Sequence, residues 1–334
     1  MRWLITGGCG FIGTAVVRDL AAAGGHTVRV LDNLSVGTRT DLSAASAFEE
    51  RETDGMRWPD RNTQAPVELV VGDILDERLV LVATQGAEVV LHLAANTGVA
   101  PSVADPRADC TANVAGTLNV LEGARHGGAR RFVFASSGAP VGECEPPIHE
   151  ECVPHPVSPY GASKLAGEGY CSAYFRTFGL ETVALRFGNV YGPGSQHKSS
   201  VVARFIRQAL DGETLEIYGD GRQTRDFLYI DDLVRAVRRA AEAGGIGGEV
   251  FQIATSTERT VAELVETLLP LLRARGVGDV AVRHGEARLG DVRRNYSDTT
   301  KARRRLDWQA QVSLREGLER TVAWFVAGER GELA

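Results

Sequence analysis

Lysine is nearly missing from this chain: in 334 residues it occurs only at Lys164, Lys198 and Lys301. Arginine takes its place throughout, a skew that fits codon bias and makes each lysine a position to inspect. An excess of positive charge is missing too, because 37 Lys and Arg against 43 Asp and Glu leave a formal net charge of -6. That balance excludes a broad cationic surface, and with it sequence-independent attraction to nucleic acid or anionic lipid. A small molecule is the expected partner. No apolar run approaches the ~20 residues needed to cross a bilayer. Met1 leads straight into a short strand pattern, without the basic stretch and apolar segment of an export signal. No membrane partner is expected, and the chain reads as cytoplasmic. The five cysteines, Cys9, Cys110, Cys144, Cys152 and Cys171, are odd in number and scattered, without a C-x-x-C pair. Neither a disulfide framework nor a zinc site is suggested, and no metal is expected; the thiols read as reduced and mostly structural.

What is present is alternation. With 43% hydrophobic residues the chain can bury the core of one large or two fused domains. Short β-type runs at 2–6, 27–31, 69–71, 89–93, 132–135 and 182–186 alternate with helical patterns. This predicts an α/β fold, a doubly wound parallel sheet of the Rossmann type with helices on both faces. Residues 38–66 are polar and aperiodic, and they read as a surface insertion longer than the usual connection. From Gly188 on, the patterns become less regular, with glycine turns at 192–194 and 219–221. We expect a cofactor domain over residues 1–186, to which the chain returns at about 225–255, and a smaller C-terminal α/β substrate lobe over 187–330.

Thr6-Gly7-Gly8-Cys9-Gly10-Phe11-Ile12-Gly13 follows the first strand pattern and opens a helical one. Glycines there permit a tight turn and let a pyrophosphate approach backbone N–H groups at a helix N-terminus. The next strand pattern ends at Asp32. A carboxylate in that place accepts hydrogen bonds from the adenosine ribose hydroxyls and repels an added phosphate, so NAD is expected rather than NADP. Asp73, after Val70-Val71-Gly72, has two readings: a contact to the adenine edge, or a turn residue at a strand end.

Ser158-Pro159 precedes Tyr160-Gly161-Ala162-Ser163-Lys164. In a helix the i, i+4 spacing sets the phenol and the ammonium on one face, where both serve one site. An ordinary phenol titrates near ~10, and a base working near neutrality needs that lowered by roughly three units, about 4 kcal/mol. A lysine cation and a positive nicotinamide ring both push in that direction. Upstream, Phe132-Val133-Phe134-Ala135-Ser136-Ser137 reads as a buried strand that delivers hydroxyls to the carboxyl end of the sheet, where doubly wound folds bind ligands. Ser137 is the expected partner of a reacting hydroxyl. Ser136 points to the opposite face and is expected to be structural.

In chain order the sequence carries T-G-G-C-G-F-I-G, H-L-A-A, the Ser-Tyr-Lys set, L-R-F-G-N-V-Y-G-P-G and R-D-F-L-Y-I-D-D. On these motifs it resembles the extended short-chain dehydrogenases/reductases, specifically the NAD-dependent epimerase/dehydratase family of nucleotide-sugar enzymes, and among them UDP-hexose 4-epimerases. The likeness covers nearly the whole chain outside 38–66. It implies that Gly7, Gly10, Phe11, Ile12, Gly13, Asp32, Asn33, Asp73, Ile74, Leu93, Ala94, Ala95, Asn113, Tyr160 and Lys164 line the NAD site. It implies a catalytic set of Ser137, Tyr160 and Lys164, with Ser102, Ser137 and Tyr160 near the hexose. Asn189, Tyr218, Arg225, Arg288 and Asp291 fall on positions that hold nucleotide and diphosphate, work that suits guanidinium groups. The alternative for the two arginines is a solvated surface charge, and for Tyr218 a core aromatic. Asp231 and Asp232 read as carboxylates of a helix N-terminus. Helices around 111–125 and 160–178 carry faces that related enzymes pair across a two-fold axis, which implies a homodimer.

The resemblance also implies a first step in which the phenolate takes the proton of the sugar C4 hydroxyl as hydride leaves C4 for NAD, giving a 4-keto sugar. In the family's dehydratases and UDP-glucuronate decarboxylases, acids follow the catalytic Ser or Thr within a few positions. Here Ser137 precedes Gly138-Ala139-Pro140-Val141, and the first acid is Glu143. The simplest outcome is a keto sugar that turns over and is reduced on its other face, a net C4 inversion of a nucleotide sugar, UDP-hexose being favoured. The alternatives are a 4,6-dehydratase or decarboxylase that uses Glu143 or another acid, and a non-catalytic NAD-binding protein. The chain departs from the family at Pro140-Val141-Gly142, where V-Y-G is common, so an aromatic and a hydroxyl near the sugar are lost. Asn295 falls where related epimerases carry a bulky Tyr or a smaller residue that admits N-acetylated sugars.

Overall fold

The computed structural model describes residues 1–52, 58, 67–286 and 293–331. Its main strands are β1 (Arg2–Thr6), β2 (Thr27–Asp32), β3 (Phe48–Glu50), β4 (Val67–Val71), β5 (Val89–His92), β6 (Arg131–Ser137), β7 (Glu181–Phe187) and β12 (Glu249–Ile253). Among the described residues these eight form one sheet in the order β12-β7-β6-β5-β1-β2-β4-β3, and every neighbouring pair is parallel. Short strands pair outside it: β8 (Asn189–Tyr191) with β11 (Phe227–Tyr229), β9 (Leu215–Tyr218) with β14 (Val282–Gly285), and β10 (Thr224–Arg225) with β13 (Arg259–Thr260). The helices are α1 (Phe11–Ala23), α2 (Arg39–Ser43), α3 (Glu77–Thr84), α4 (Val99–Ala104), α5 (Pro106–Cys110), α6 (Gly116–Gly127), α7 (Pro159–Phe178), α8 (Val201–Leu210), α9 (Ile230–Glu242), α10 (Val261–Ala274), α11 (Thr300–Leu306) and α12 (Leu314–Glu329). A π turn (Thr111–Ala115) joins α5 to α6. No helix among the described residues is long and apolar enough to cross a membrane.

The strands are apolar on both sides because helices cover both faces. Successive side chains alternate between faces: Trp3 and Ile5 join one core with Val16, Leu20, Leu233 and Val237, whereas Leu4 joins another with Val80, Val120, Leu121 and Phe134. From β1 the chain winds outward through β2 and β4, then returns to β5 and winds the other way. The winding reverses between β1 and β5, and the crevice beyond their carboxyl ends is where such sheets receive ligands.

The six expected strands all occur, with ends shifted by one or two residues. Residues 38–66 are a partial correction. Thr38 and Asp41 form a capping box that starts α2, and Phe48–Glu50 extends the sheet as its edge strand beside β4. Three residues with one half-buried apolar side chain are too few for a period-two signal, so the strand is invisible to pattern reading. Asp231 and Asp232 stand in the first turn of α9, as expected. Asp232 is also fully buried and accepts from Gln311 N (3.1 Å) and Val312 N (3.0 Å), which ties the segment before α12 to the core.

Candidate active site

The glycine turn after β1 is shaped by excluded volume. Gly7 has φ +71, and a Cβ there would lie 2.8 Å from Ala94 N, while one on Gly13 would lie 2.5 Å from Gly7 O. Neither position admits a side chain. No side chain caps α1 at Gly10, so the helix start offers its N–H groups to an anion in the crevice. Asp32, at the end of β2, accepts from Cys9 N (2.9 Å) and Leu34 N (2.8 Å) and so holds the turn in place. Burial raises its pKa against the pull of those donors. Each carboxylate oxygen keeps a further lone pair for a ribose hydroxyl. Asn33 donates to Asp73 Oδ2 (2.9 Å) and Leu75 N to Asp73 Oδ1 (2.9 Å), which is the turn reading of Asp73. Ile74 packs on Gly116, where a Cβ would meet its Cδ1 at 2.5 Å. Leu93, Ala94 and Ala95 leave β5 half-buried at the reversal point. The uncapped helix start and the acid on the adjoining strand fit a dinucleotide without a ribose phosphate.

Ser158 Oγ accepts from Gly161 N (3.1 Å) and starts α7 with Pro159 at its first turn. One turn later Lys164 is buried, its Nζ donating to Ala135 O at 3.0 Å and standing 5.0 Å from the Phe134 ring and 5.9 Å from the Tyr160 ring. Ser137 hydrogen-bonds the Tyr160 phenol, an interaction that favours its ionised form. The sequence thus brings Ser137, Tyr160 and Lys164 to one place. The expected lowering of the phenol is not a property of the protein alone: burial pushes Tyr160 up to about 12, with a further push from Asp109. Burial of the phenol outweighs the Ser137 hydrogen bond, and the Lys164 ammonium is engaged by Ala135 O. Burial likewise pulls Lys164 down to about 8, against the opposing pull of Asp109.

Asp109 went unnoticed in the sequence, where an acid in a polar helical stretch looks solvated. It is 1% exposed, and its Oδ1 accepts from Asn113 Nδ2 at 3.0 Å. Its charge favours a protonated Lys164 and a neutral Tyr160. Asn113 sits in the π turn with its amide spent on protein: it donates to Asn96 O (2.9 Å) and Ser163 Oγ (3.2 Å) and accepts from Asn96 N (2.7 Å). It pins the segment after β5 to α7, and π turns often mark such places. Ser102 is fully buried with its hydroxyl on Val99 O (2.7 Å), so the hydroxyl expected near the hexose is turned into its own helix. Ser136 is structural, as expected: it donates to Glu168 Oε1 (2.5 Å), and Arg186 Nη2 pairs with Oε2 of the same buried carboxylate (2.7 Å).

Across the crevice, Asn189 is exposed at the start of β8, its N–H on Asp226 O (2.9 Å). Tyr218 ends β9 half-buried, and its hydroxyl accepts from Arg204 Nη1 at 3.1 Å. Arg225 lies in β10 with Nη1 on Thr224 O (2.6 Å). Arg288 and Asp291 lie outside the described residues. Lys198 was singled out only by its rarity. Its Nζ stands 5.3 Å from the ring of Phe11, the first residue of α1, burial lowers its pKa, and among the described residues no carboxylate pairs with it.

Geometry of this kind defines the class: an α/β protein of the dehydrogenase type, with a dinucleotide turn beside a tyrosine–lysine pair. Residues 3–254 match the NAD dependent epimerase/dehydratase family, and the chain belongs to that family. It is 39% identical to a UDP-glucose 4-epimerase of Mycolicibacterium smegmatis over 330 residues, 97% of this chain and 98% of the relative. Among solved structures it is similar to the UDP-glucose 4-epimerase of Thermotoga maritima with UDP-glucose, at a TM-score of 0.85 and 37% identity, covering 98% of this chain and 100% of that one. It is as similar in fold to DesIV, a dTDP-glucose 4,6-dehydratase of Streptomyces venezuelae with NAD bound, at a TM-score of 0.85 and 34% identity over 99% and 98% of the two chains. The likeness therefore spans epimerases and dehydratases alike.

Proposed function

We propose that this chain is a nucleotide-sugar 4-epimerase, acting on a UDP-hexose with NAD retained in the crevice between β1 and β5. The observation that carries epimerisation over elimination is the surroundings of the Ser137–Tyr160 pair. Gly138-Ala139-Pro140-Val141 follows the serine, Glu143 is exposed, Glu145 is engaged by Arg294 (2.9 Å), and Glu150 accepts from Gln252 N (2.8 Å). Asp109 is sealed beneath the pair. No acid among these is free beside the serine to assist loss of water or carbon dioxide.

Ser137 holds the sugar C4 hydroxyl, and Tyr160 takes its proton. Lys164 keeps a positive charge behind the phenol and fixes the strand that carries Ser137 through Ala135 O. Bound NAD supplies a hydride acceptor and then a donor at C4, together with a positive charge beside the phenol. After the keto sugar turns over, Tyr160 returns the proton and C4 is inverted. The lobe over 187–330 holds the nucleotide, with Asn189, Tyr218, Arg225, Arg288 and Asp291 as its contacts, and the cofactor domain spans 1–186 with the return at about 225–255. Lys198, which no carboxylate pairs among the described residues and which stands close to Phe11, neutralises phosphate. The protein works in the cytoplasm as a homodimer through the helices around 111–125 and 160–178, where Tyr170 and Phe178 are exposed; light scattering at micromolar concentration tests the dimer.

The deciding experiment incubates the purified chain, without added NAD, with UDP-, dTDP- and GDP-sugars in heavy water. An epimer at C4 of unchanged mass, with no deuterium on carbon, is the expected product. Loss of water or carbon dioxide would make it a dehydratase or decarboxylase, and deuterium at C3 or C5 would point to enolisation instead.

A further inference from the structure

Two thiols that stand apart in the sequence meet in the fold. Cys144 donates its S–H to Cys152 Sγ at 3.0 Å, and His149 N directs its N–H at the same sulfur from 3.5 Å. Both thiols are free and both side chains are half-exposed. The segment that carries them runs from Ser137 to Tyr160 and is held from two sides. His155 N donates to Val141 O (3.1 Å) at its base, and Ile148 pairs with the far lobe through Tyr296 O (2.9 Å) and Asp298 N (2.8 Å). Glu145 adds an ion pair to Arg294 (2.9 Å). The contact is therefore set by an anchored loop, and neither sulfur has to travel to reach the other. The remaining cysteines act as internal controls: Cys9 and Cys171 are buried, and Cys110 is exposed but makes no contact with another thiol among the described residues.

We propose that Cys144 and Cys152 are a modification site, a dithiol that low-molecular-weight disulfides oxidise to an intramolecular disulfide. The Cys152 thiolate attacks one sulfur of the reagent RSSR, forming Cys152–S–S–R and expelling RS⁻, which takes a proton. Cys144 then loses its proton and attacks Cys152 Sγ, closing the protein disulfide and expelling the second RSH. Two thiols are oxidised by two electrons, and one reagent disulfide is reduced to two thiols. The order follows from the contact: Cys144 spends its S–H on Cys152, and that bond, with burial, holds Cys144 up at about 11, so within the intact pair it is the poorer first nucleophile. Anchoring makes the second step intramolecular and fast. The site stands apart from the proposed epimerase reaction and does not depend on it.

The test uses the full chain, reduced, desalted and exposed to oxidised glutathione, then acid-quenched, alkylated and digested for mass spectrometry. The expected result is a joined pair of peptides carrying Cys144 and Cys152, lighter by two hydrogens than the reduced pair and restored by reductant, while Cys110 carries a glutathione adduct. C144S should trap glutathione on Cys152, and C152S should trap it on Cys144; neither variant can close the disulfide. Separate adducts on the two cysteines of the unsubstituted chain, or no reaction at either, overturn the site. In the unsubstituted chain an early quench should find the mixed disulfide on Cys152; finding it on Cys144 overturns the order of attack. The readout is mass alone, so it is independent of turnover.

Discussion

The two walls of the crevice are built by different means. The cofactor wall, between β1 and β2, is fixed by contact: Gly7 and Gly13 leave no room for a single Cβ, and Asp32 is clamped by the N–H groups of Cys9 and Leu34. The opposite wall rests on strand pairs of two to four residues and on guanidinium groups, Arg204 against Tyr218 and Arg294 across Glu145 and Glu258. The first wall specifies by excluded volume, so it tolerates almost no substitution and serves one cofactor. The second specifies by charge and reach, so it can be retuned residue by residue. That division accounts for the similarity of one fold to both an epimerase and a dehydratase.

The sharpest break between the walls should come at the reactive pair between them. Tyr160→Phe should lower turnover by about 10²–10⁴-fold while bound NAD, read by absorbance after denaturation, stays near stoichiometric. Turnover kept within a few-fold would remove the phenol from the mechanism. Next in size is Gly13→Ala, which drives a methyl into Gly7 O and should cost about 1–3 kcal/mol in urea unfolding, together with the retained NAD. Gly244→Ala, at an exposed position where nothing lies within 4 Å of an added Cβ, is the control and should be neutral or stabilising; equal effects would contradict the excluded-volume account. Lys198→Ala should weaken nucleotide binding about tenfold, the scale of one charge-assisted contact. Calorimetry with UDP and measurement of retained NAD tell which phosphate the ammonium serves, and no change in either would refute the assignment.

Two pH effects are smaller. Lys164, pulled down to about 8, loses its charge as pH rises through that value, so kcat should fall on an alkaline limb near there. A rate that stays flat well beyond it would discount the ammonium. His92, buried between Thr6 Oγ1 (2.7 Å) and Thr117 Oγ1 (3.0 Å), has its pKa lowered from 6.5 to about 3. The unfolded chain therefore takes up that proton first. Stability from this group is complete above 6.5 and declines as pH falls toward 3, and His92→Gln should flatten that part of the acid limb in urea midpoints.

The cofactor wall was legible in the sequence because its determinants are contiguous: a strand, a glycine turn, a helix and an acid at the end of the next strand. The reactive set was legible because i, i+4 spacing needs no long-range information. What stayed hidden depends on distant parts of the chain. Asp109 becomes a buried charge only when α5 packs against α7, and Lys198 reaches Phe11 only through a loop from beyond β7. The Cys144–Cys152 contact carries no spacing motif and forms because the loop is anchored to residues 296–298. Nothing in the neighbours of Ser102 foretells a hydroxyl that donates to Val99 O. Nor does any spacing express that, among the protein's own groups, burial outweighs the Ser137 hydrogen bond at Tyr160.

The return of the chain to the sheet as β12 has a consequence for how such proteins diversify. Glu249–Ile253 hydrogen-bonds along β7, after the excursion that carries β8, β9 and β11. The C-terminal part is thus spliced into its host through three seams, after β7, before α9 and after β12, rather than appended through one. Cutting the chain after β7 would strip the flank of Val183 and Leu185 and leave a bare, adhesive edge, so recombination that exchanges this part has to respect every joint.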